Sequence, residues 1–203
     1  MYIYMKNKIA FFDFDGTISI TDSFAKFIQH SLGNVRFYTG IIVLSPLLVA
    51  YKLKIITNDQ MKQFALSYFF KGMSEENFNN IAGKYSLYQL ENIVREEALK
   101  RILWHQVKGH RVVIVSASVE NWLKPWCKKQ GVELISTKIE FVDGKVTGKL
   151  LSKNCYGPEK VRRIHEKYNM DDYEYIYAYG DTRGDKEMLE MSNEGTFKPF
   201  RKK

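Results

Sequence analysis

Three short apolar runs stand out along the chain: residues 9–15 (IAFFDFD), 111–116 (RVVIVS) and 173–179 (YEYIYAY). The first is rich in aromatics and stops at Gly16-Thr17, the second is β-branched and leads into Ser116-Ala117-Ser118, and the third leads into Gly180-Asp181. Short apolar runs closed by turn residues predict buried strands. Because all three deliver small or acidic residues at their C-terminal ends, they predict a parallel sheet with its functional edge there.

Helical spacing fills the gaps. Gly157-Pro158 followed by Val161, Ile164 and Tyr168 predicts a helix with proline in its first turn. Residues 119–130, closed by Gly131 and interrupted by Pro125, predict a second helix kinked at the proline, and residues 182–192 a third. Residues 139–150 alternate about Asp143-Gly144, the signal of a hairpin, which should form a ribbon beside the sheet. Some 95 residues between the first two strands carry helical periodicity and no comparable strand, too long for a simple crossover. The pattern therefore predicts an α/β fold with a doubly wound, Rossmann-like parallel-sheet core formed by residues 1–20 and 96–203. A helical cap, residues 21–95, is inserted into it.

Composition narrows the class. A chain of 203 residues suits one core with a small insert, and 45% hydrophobic against 27% charged residues excludes a disordered chain. The formal charge of +8 admits nucleic acid, anionic membrane or phosphorylated substrates as partners. Lys198, Arg201, Lys202 and Lys203 carry four of those charges in a tail expected to lie away from any site. The two cysteines, Cys127 and Cys155, form no CxxC pair, and no histidine sits at ligand spacing, so a reduced cytoplasmic protein without a zinc site is expected. Residues 1–8 lack the pattern of a secretion signal. His30, His105, His110 and His165 fall outside every motif and are expected at the surface, whereas Trp104, Trp122 and Trp126 are expected to anchor packing. Residues 40–51 form the most apolar run, broken by Pro46 and followed by Lys52 and Lys54. Twelve residues fall short of the roughly 20 that span a bilayer, so a buried or interfacial helix is expected.

The chemistry concentrates at the strand ends. In Asp13-Phe14-Asp15-Gly16-Thr17, two carboxylates two residues apart meet a glycine that lets the chain turn, so Asp13 and Asp15 can converge above the sheet edge. Asp181 and Asp185, four apart after the third run, stack on one face of a first helical turn. Four carboxylates at two strand ends favour a hard, oxygen-seeking ion, and magnesium is the natural candidate. Ser116 adds a hydroxyl and Lys160 a fixed positive charge. Such a set suits phosphoryl transfer, with a carboxylate attacking phosphorus, cations neutralising the phosphoryl oxygens and a second acid moving protons.

FFDFDGT, IVSAS, VDGKVTGKL with NCYGPEK, and YGDTRGD, in that order, resemble the haloacid dehalogenase-like hydrolase superfamily, specifically its phosphoserine phosphatase-like branch, subfamily IB. The resemblance implies Asp13 as nucleophile and Asp15 as general acid and base. It implies magnesium held by Asp13, the Asp15 carbonyl and Asp181 with Asp185 in support, and Thr17, Ser116 and Lys160 as phosphate-binding groups. Asp22 stands nine residues after Asp13, where phosphoserine phosphatases are similar in placing a substrate-selecting Glu; the shorter acid weakens that substrate assignment. The run from Ile41 to Tyr51 and the aromatics Phe64, Tyr68, Phe69 and Phe70 are similar to caps of the phosphatidylglycerophosphatase group, or simply pack the cap helices. Two functions follow: hydrolysis of a small phosphate monoester, or of a lipid phosphate with peripheral membrane contact. A basic nucleic-acid-binding module is the minor rival, and no recognition motif supports it.

Overall fold

In the computed structural model, which describes residues 7–201, the first apolar run is the central strand of the sheet. The expectations for residues 1–6 and for Lys202 and Lys203 lie outside the described residues. Strand β1 (Asn7–Phe12) pairs in parallel with β2 (Arg111–Val119) on one side and β6 (Tyr173–Gly180) on the other. With β3 (Glu133–Thr137) and β7 (Glu194–Phe197) at the edges, the order is β3-β2-β1-β6-β7, all parallel. Alternate β1 residues face opposite layers, as strand geometry requires. Ala10 and Phe12 pack toward α4 (Glu96–Val107) and α5 (Glu120–Gln130), while Ile9 and Phe11 pack toward α6 (Pro158–Lys167) and α7 (Lys186–Glu190). Helices on both faces make the sheet doubly wound.

Between β1 and β2 lies the helical insert of α1 (Ser23–Lys52), α2 (Asn58–Phe70) and α3 (Glu75–Tyr88). Phe27 joins it to the core. Its ring stacks on Trp122 at 4.7 Å and meets Phe70, Phe78 and Tyr85 within 5.5 Å, so α1, α2, α3 and α5 share one aromatic centre. The hairpin of β4 (Ile139–Val142) and β5 (Lys145–Leu150) turns at Asp143 and Gly144, both at positive φ as a two-residue turn demands. It does not extend the sheet. It is a separate ribbon bonded to the insert, with Gly72 N–H donating to Val146 O and Val146 N–H to Met73 O, each at 2.9 Å.

The structure refines several local expectations. Residues 182–192 do not form one helix: a single tight turn, Arg183–Asp185, precedes a five-residue α7, because the Asp185 side chain folds back to accept from Thr182 N–H at 3.0 Å. Helix α5 continues through Pro125 to Gln130 as one element, closed by Gly131 as expected. His105 is buried, its ring bonded to the His110 ring at 2.8 Å and to the Tyr179 hydroxyl at 3.0 Å, and Trp104 is partly exposed while Trp122 and Trp126 are buried. Finally, residues 40–51 belong to a 30-residue helix interrupted only at Gly33, whose φ of 79° and ψ of 167° break the helical path. Pro46 does not end the helix, because the Ser45 hydroxyl donates to Ile42 O, the acceptor that proline leaves without its usual N–H. An 18-residue window of α1 has mean hydropathy 1.5 and is only 11% buried, long and apolar enough by those measures to cross a membrane.

Phe27→Ala should destabilise the protein by about 3–5 kcal/mol, the cost of removing a buried aromatic hub. Urea unfolding followed by tryptophan fluorescence measures this, since Trp122 lies against the lost ring.

Candidate active site

The parallel pairing of β1 with β6 continues one residue beyond the strand, where Asp13 N–H donates to Tyr179 O at 2.9 Å. That bond sets the Asp13 carboxylate over the sheet edge. The chain then turns tightly through Phe14–Ile18, and Gly16 takes φ 84°. A β-carbon there would fall 2.4 Å from Asp181 Oδ2, so the turn and the approach of Asp181 both require glycine. On the other side, β2 bulges between Ser116 and Val119, which turns Ala117 and Ser118 toward the same point.

Lys160 occupies the centre. It reaches from the first turn of α6, 2% exposed, and its Nζ donates to Asp13 Oδ1 and Asp185 Oδ1, each at 2.6 Å, and to Val115 O at 2.7 Å. One ammonium thus serves two buried carboxylates. Asp185 is additionally fixed by Asp181 N–H, Thr182 N–H and the Thr182 hydroxyl, all donating to its Oδ2. Burial raises both acids, but Lys160 and the backbone donors hold Asp185 below the usual carboxylate range. Asp13, more deeply desolvated and facing Asp185, is pushed up to about 7 despite Lys160. Asp181 is raised by burial and by Asp185.

Asp13, Asp181 and Asp185 each present a carboxylate oxygen, and these oxygens lie within 4.8 Å of one another. Magnesium takes oxygen ligands at about 2.1 Å in an octahedron. Three convergent buried carboxylates, each offering an oxygen to one point, suit such an ion. The tail does reach this cluster, contrary to the expectation that its charges lie away from the site: Arg201 donates to Asp181 Oδ2 at 2.9 Å.

Asp15 points elsewhere. It accepts from Ser23 N–H at 2.6 Å and from the Ser118 hydroxyl at 2.5 Å, and burial together with the nearby Asp22 raises it to about 6. Its side chain is therefore not in the carboxylate cluster, although both acids line one cavity of 320 Å³ with Asp22, Lys62, Lys160 and Asp185. Thr17 is buried, its hydroxyl directed to Asp181 Oδ1 at 3.4 Å. Ser116 Oγ accepts from Ser118 N–H at 3.0 Å. Asp22 caps α1, accepting from Ala25 N–H at 2.8 Å, at the exposed mouth of the cavity.

Three residues join the site that sequence reasoning did not single out. Ser118 and Ser23 hold Asp15, and Ser118 lay within the IVSAS stretch without its own signal. Lys62, on α2, donates to Ala117 O and to Asn154 Oδ1 at 2.8 Å, and burial lowers it to about 8. A lone lysine in an amphipathic helix gives no sequence signal of such a contact.

The site is thus a carboxylate–lysine cluster at the strand ends of an α/β core. The haloacid dehalogenase-like hydrolase family model matches residues 10–190, and the chain belongs to that family. The chain is 34% identical over 194 residues to protein CicA of Caulobacter vibrioides, spanning 95% of this chain and 86% of that protein. It is 30% identical over 200 residues to a protein of Mycobacterium tuberculosis named a probable phosphatase, spanning 89% of this chain and 65% of the other. A substrate-bound phosphoserine phosphatase structure shares the fold, with TM-score 0.60 and 19% identity over 95% of this chain and 85% of that one. The protein is thus a haloacid dehalogenase-like hydrolase.

Lys160→Met should leave two buried carboxylates without their ammonium and lower stability by about 3–5 kcal/mol, read by denaturant unfolding. Loss of less than about 1 kcal/mol would mean that the cluster is balanced without Lys160.

Proposed function

We propose that the protein hydrolyses a phosphate monoester through an aspartyl phosphate on Asp13, with magnesium as its cofactor. The observation that carries this reading is the Lys160 ammonium bridging Asp13 and Asp185 beside Asp181. Lys160 holds Asp13 Oδ1, which leaves Oδ2 to attack phosphorus. As that bond forms, the ester P–O bond breaks and its electron pair goes to the leaving oxygen, which takes the proton of Asp15. Asp15 then removes a proton from water as the water oxygen attacks phosphorus, the bond to Asp13 breaks, and inorganic phosphate leaves. Asp15 suits this double task because burial and Asp22 raise it to about 6, within reach of both protonation states near neutral pH.

Asp13, Asp181 and the Asp15 carbonyl would hold magnesium, with Asp185 in support; the ion would supply positive charge to the phosphoryl oxygens. Lys160 adds a fixed charge of the same sign. Thr17 orients Asp181, Ser116 and backbone N–H groups of the turn after Asp13 bind phosphoryl oxygens, and Asp22 helps to select the substrate at the cavity mouth. Residues 21–95 act as a cap over residues 1–20 and 96–203. The substrate is small and phosphorylated; nucleic acid is not a partner.

A second reading, action at a membrane surface, is favoured by the outward side of α1, where Ile42 is 73% and Val49 56% exposed. Lys52 and Lys54 at its end suit anionic headgroups. Both cysteines are buried and unpaired, as a reducing cytoplasm keeps them.

Asp13→Asn should lower turnover of p-nitrophenyl phosphate by about a thousandfold or more, and chelation of divalent ions should abolish it until magnesium is restored. Unchanged turnover in Asp13→Asn would overturn the mechanism. For an alkyl phosphate, whose leaving oxygen needs a proton, and with magnesium present, whose charge would keep Asp13 ionised, kcat/KM should fall as pH rises through the value of Asp15. Asp22→Asn, which keeps the helix cap and removes the neighbouring charge, should move that fall to lower pH. Co-sedimentation with phosphatidylglycerol vesicles should drop several-fold when Ile42 and Val49 are both changed to Glu.

A further inference from the structure

A second cavity adjoins the catalytic one, and the two share a wall. Asp22, Phe24, Asn58 and Lys62 line both. Beyond that collar the second cavity is a groove of 420 Å³ between α1 and α2, within the size range of ligand pockets. Helix α1 supplies Ile41, Leu44 and Leu48 at steps of three and four, and α2 supplies Met61, Ala65 and Phe69. The polar groups are gathered at the collar. There Asn58 Nδ2 donates to the Tyr51 hydroxyl at 3.0 Å, and Lys62 is bonded to Ala117 O and Asn154 Oδ1. The two cavities therefore meet at one collar of charged and amide groups, with buried carboxylates and lysine on one side and an apolar slot on the other.

We infer that the groove is a tail-binding subsite and that the substrate is a phosphomonoester carrying an unbranched apolar tail. The inference rests on the phosphatase reading above and names its substrate class. Charge complementarity sets the direction: phosphate lies toward Lys160 and the carboxylate cluster, and the first carbons pass Phe24 and Lys62. The tail replaces water along Leu44, Leu48 and Ala65. A small polar substrate would leave this slot empty, and the collar's Lys62 and Asn58 already hold protein partners. An apolar tail requires no further polar partner and gains from each methylene removed from water.

The experiment is calorimetric titration of the full chain, with magnesium present, by non-hydrolysable n-alkylphosphonates from ethyl to dodecyl, each below its micelle concentration. The Kd should fall about two- to fourfold per added methylene and level off once the groove is full. Ile41→Asp, at the partly exposed rim of the groove, should flatten that dependence. A Kd independent of chain length in the unmutated protein would overturn the inference, and so would length dependence unchanged by Ile41→Asp. Turnover of p-nitrophenyl phosphate, measured in parallel, reports on the hydrolytic reading alone. Absent turnover with length-dependent binding would overturn that reading and retain the groove; turnover with length-independent binding would do the reverse.

Discussion

A single ammonium shared by two buried carboxylates is the interaction on which the rest of this structure depends. Lys160 can be charged in the interior only because Asp13, Asp185 and Val115 O surround it, and the two acids can approach each other only because Lys160 lies between them. Every element around the site serves that geometry. The β1–β6 pairing carries Asp13 to the sheet edge, the tight turn after Thr182 folds Asp185 back, and the first turn of α6 aims Lys160 inward. Replacing water by fixed charges in this way costs stability and leaves a preorganised field at the strand ends.

The helical insert solves a different problem. Its inner side must pack on the core, which it does through Phe27 and the rings around it, while its α2 end must close over polar chemistry. Lys62 and Asn58 do the second by bonding to Ala117 O and Asn154 on the core. The remainder of α1 stays apolar on its outward side as well as its inward one. A soluble helix is ordinarily polar on its outer face, so these exposed side chains are retained against a solvation cost. The outward face and the groove both present side chains that folding alone leaves partly uncovered.

Much of the core was legible in the chain. The three apolar runs became β1, β2 and β6, the Asp143-Gly144 hairpin formed at its stated turn, and Lys160 came to rest beside Asp13 and Asp185. Strand ends and glycine turns are local signals, set by alternation and by the backbone freedom of glycine, so sequence alone determines them. The length and helicity of the segment between β1 and β2 likewise identified an insert.

What the tertiary structure alone decided was every contact between segments distant in sequence. Whether Asp15 joins the carboxylate cluster or turns to Ser118 depends on a bulge in β2. Whether Arg201 reaches Asp181 depends on how the chain leaves β7, and whether His105 is buried depends on Tyr179 coming beside it. The apolar run at 40–51 gave its composition plainly, but only packing showed that one side lines a groove beside the carboxylate–lysine cavity and the other faces out. Hydrophobic periodicity records which residues avoid water; it does not record what they meet instead.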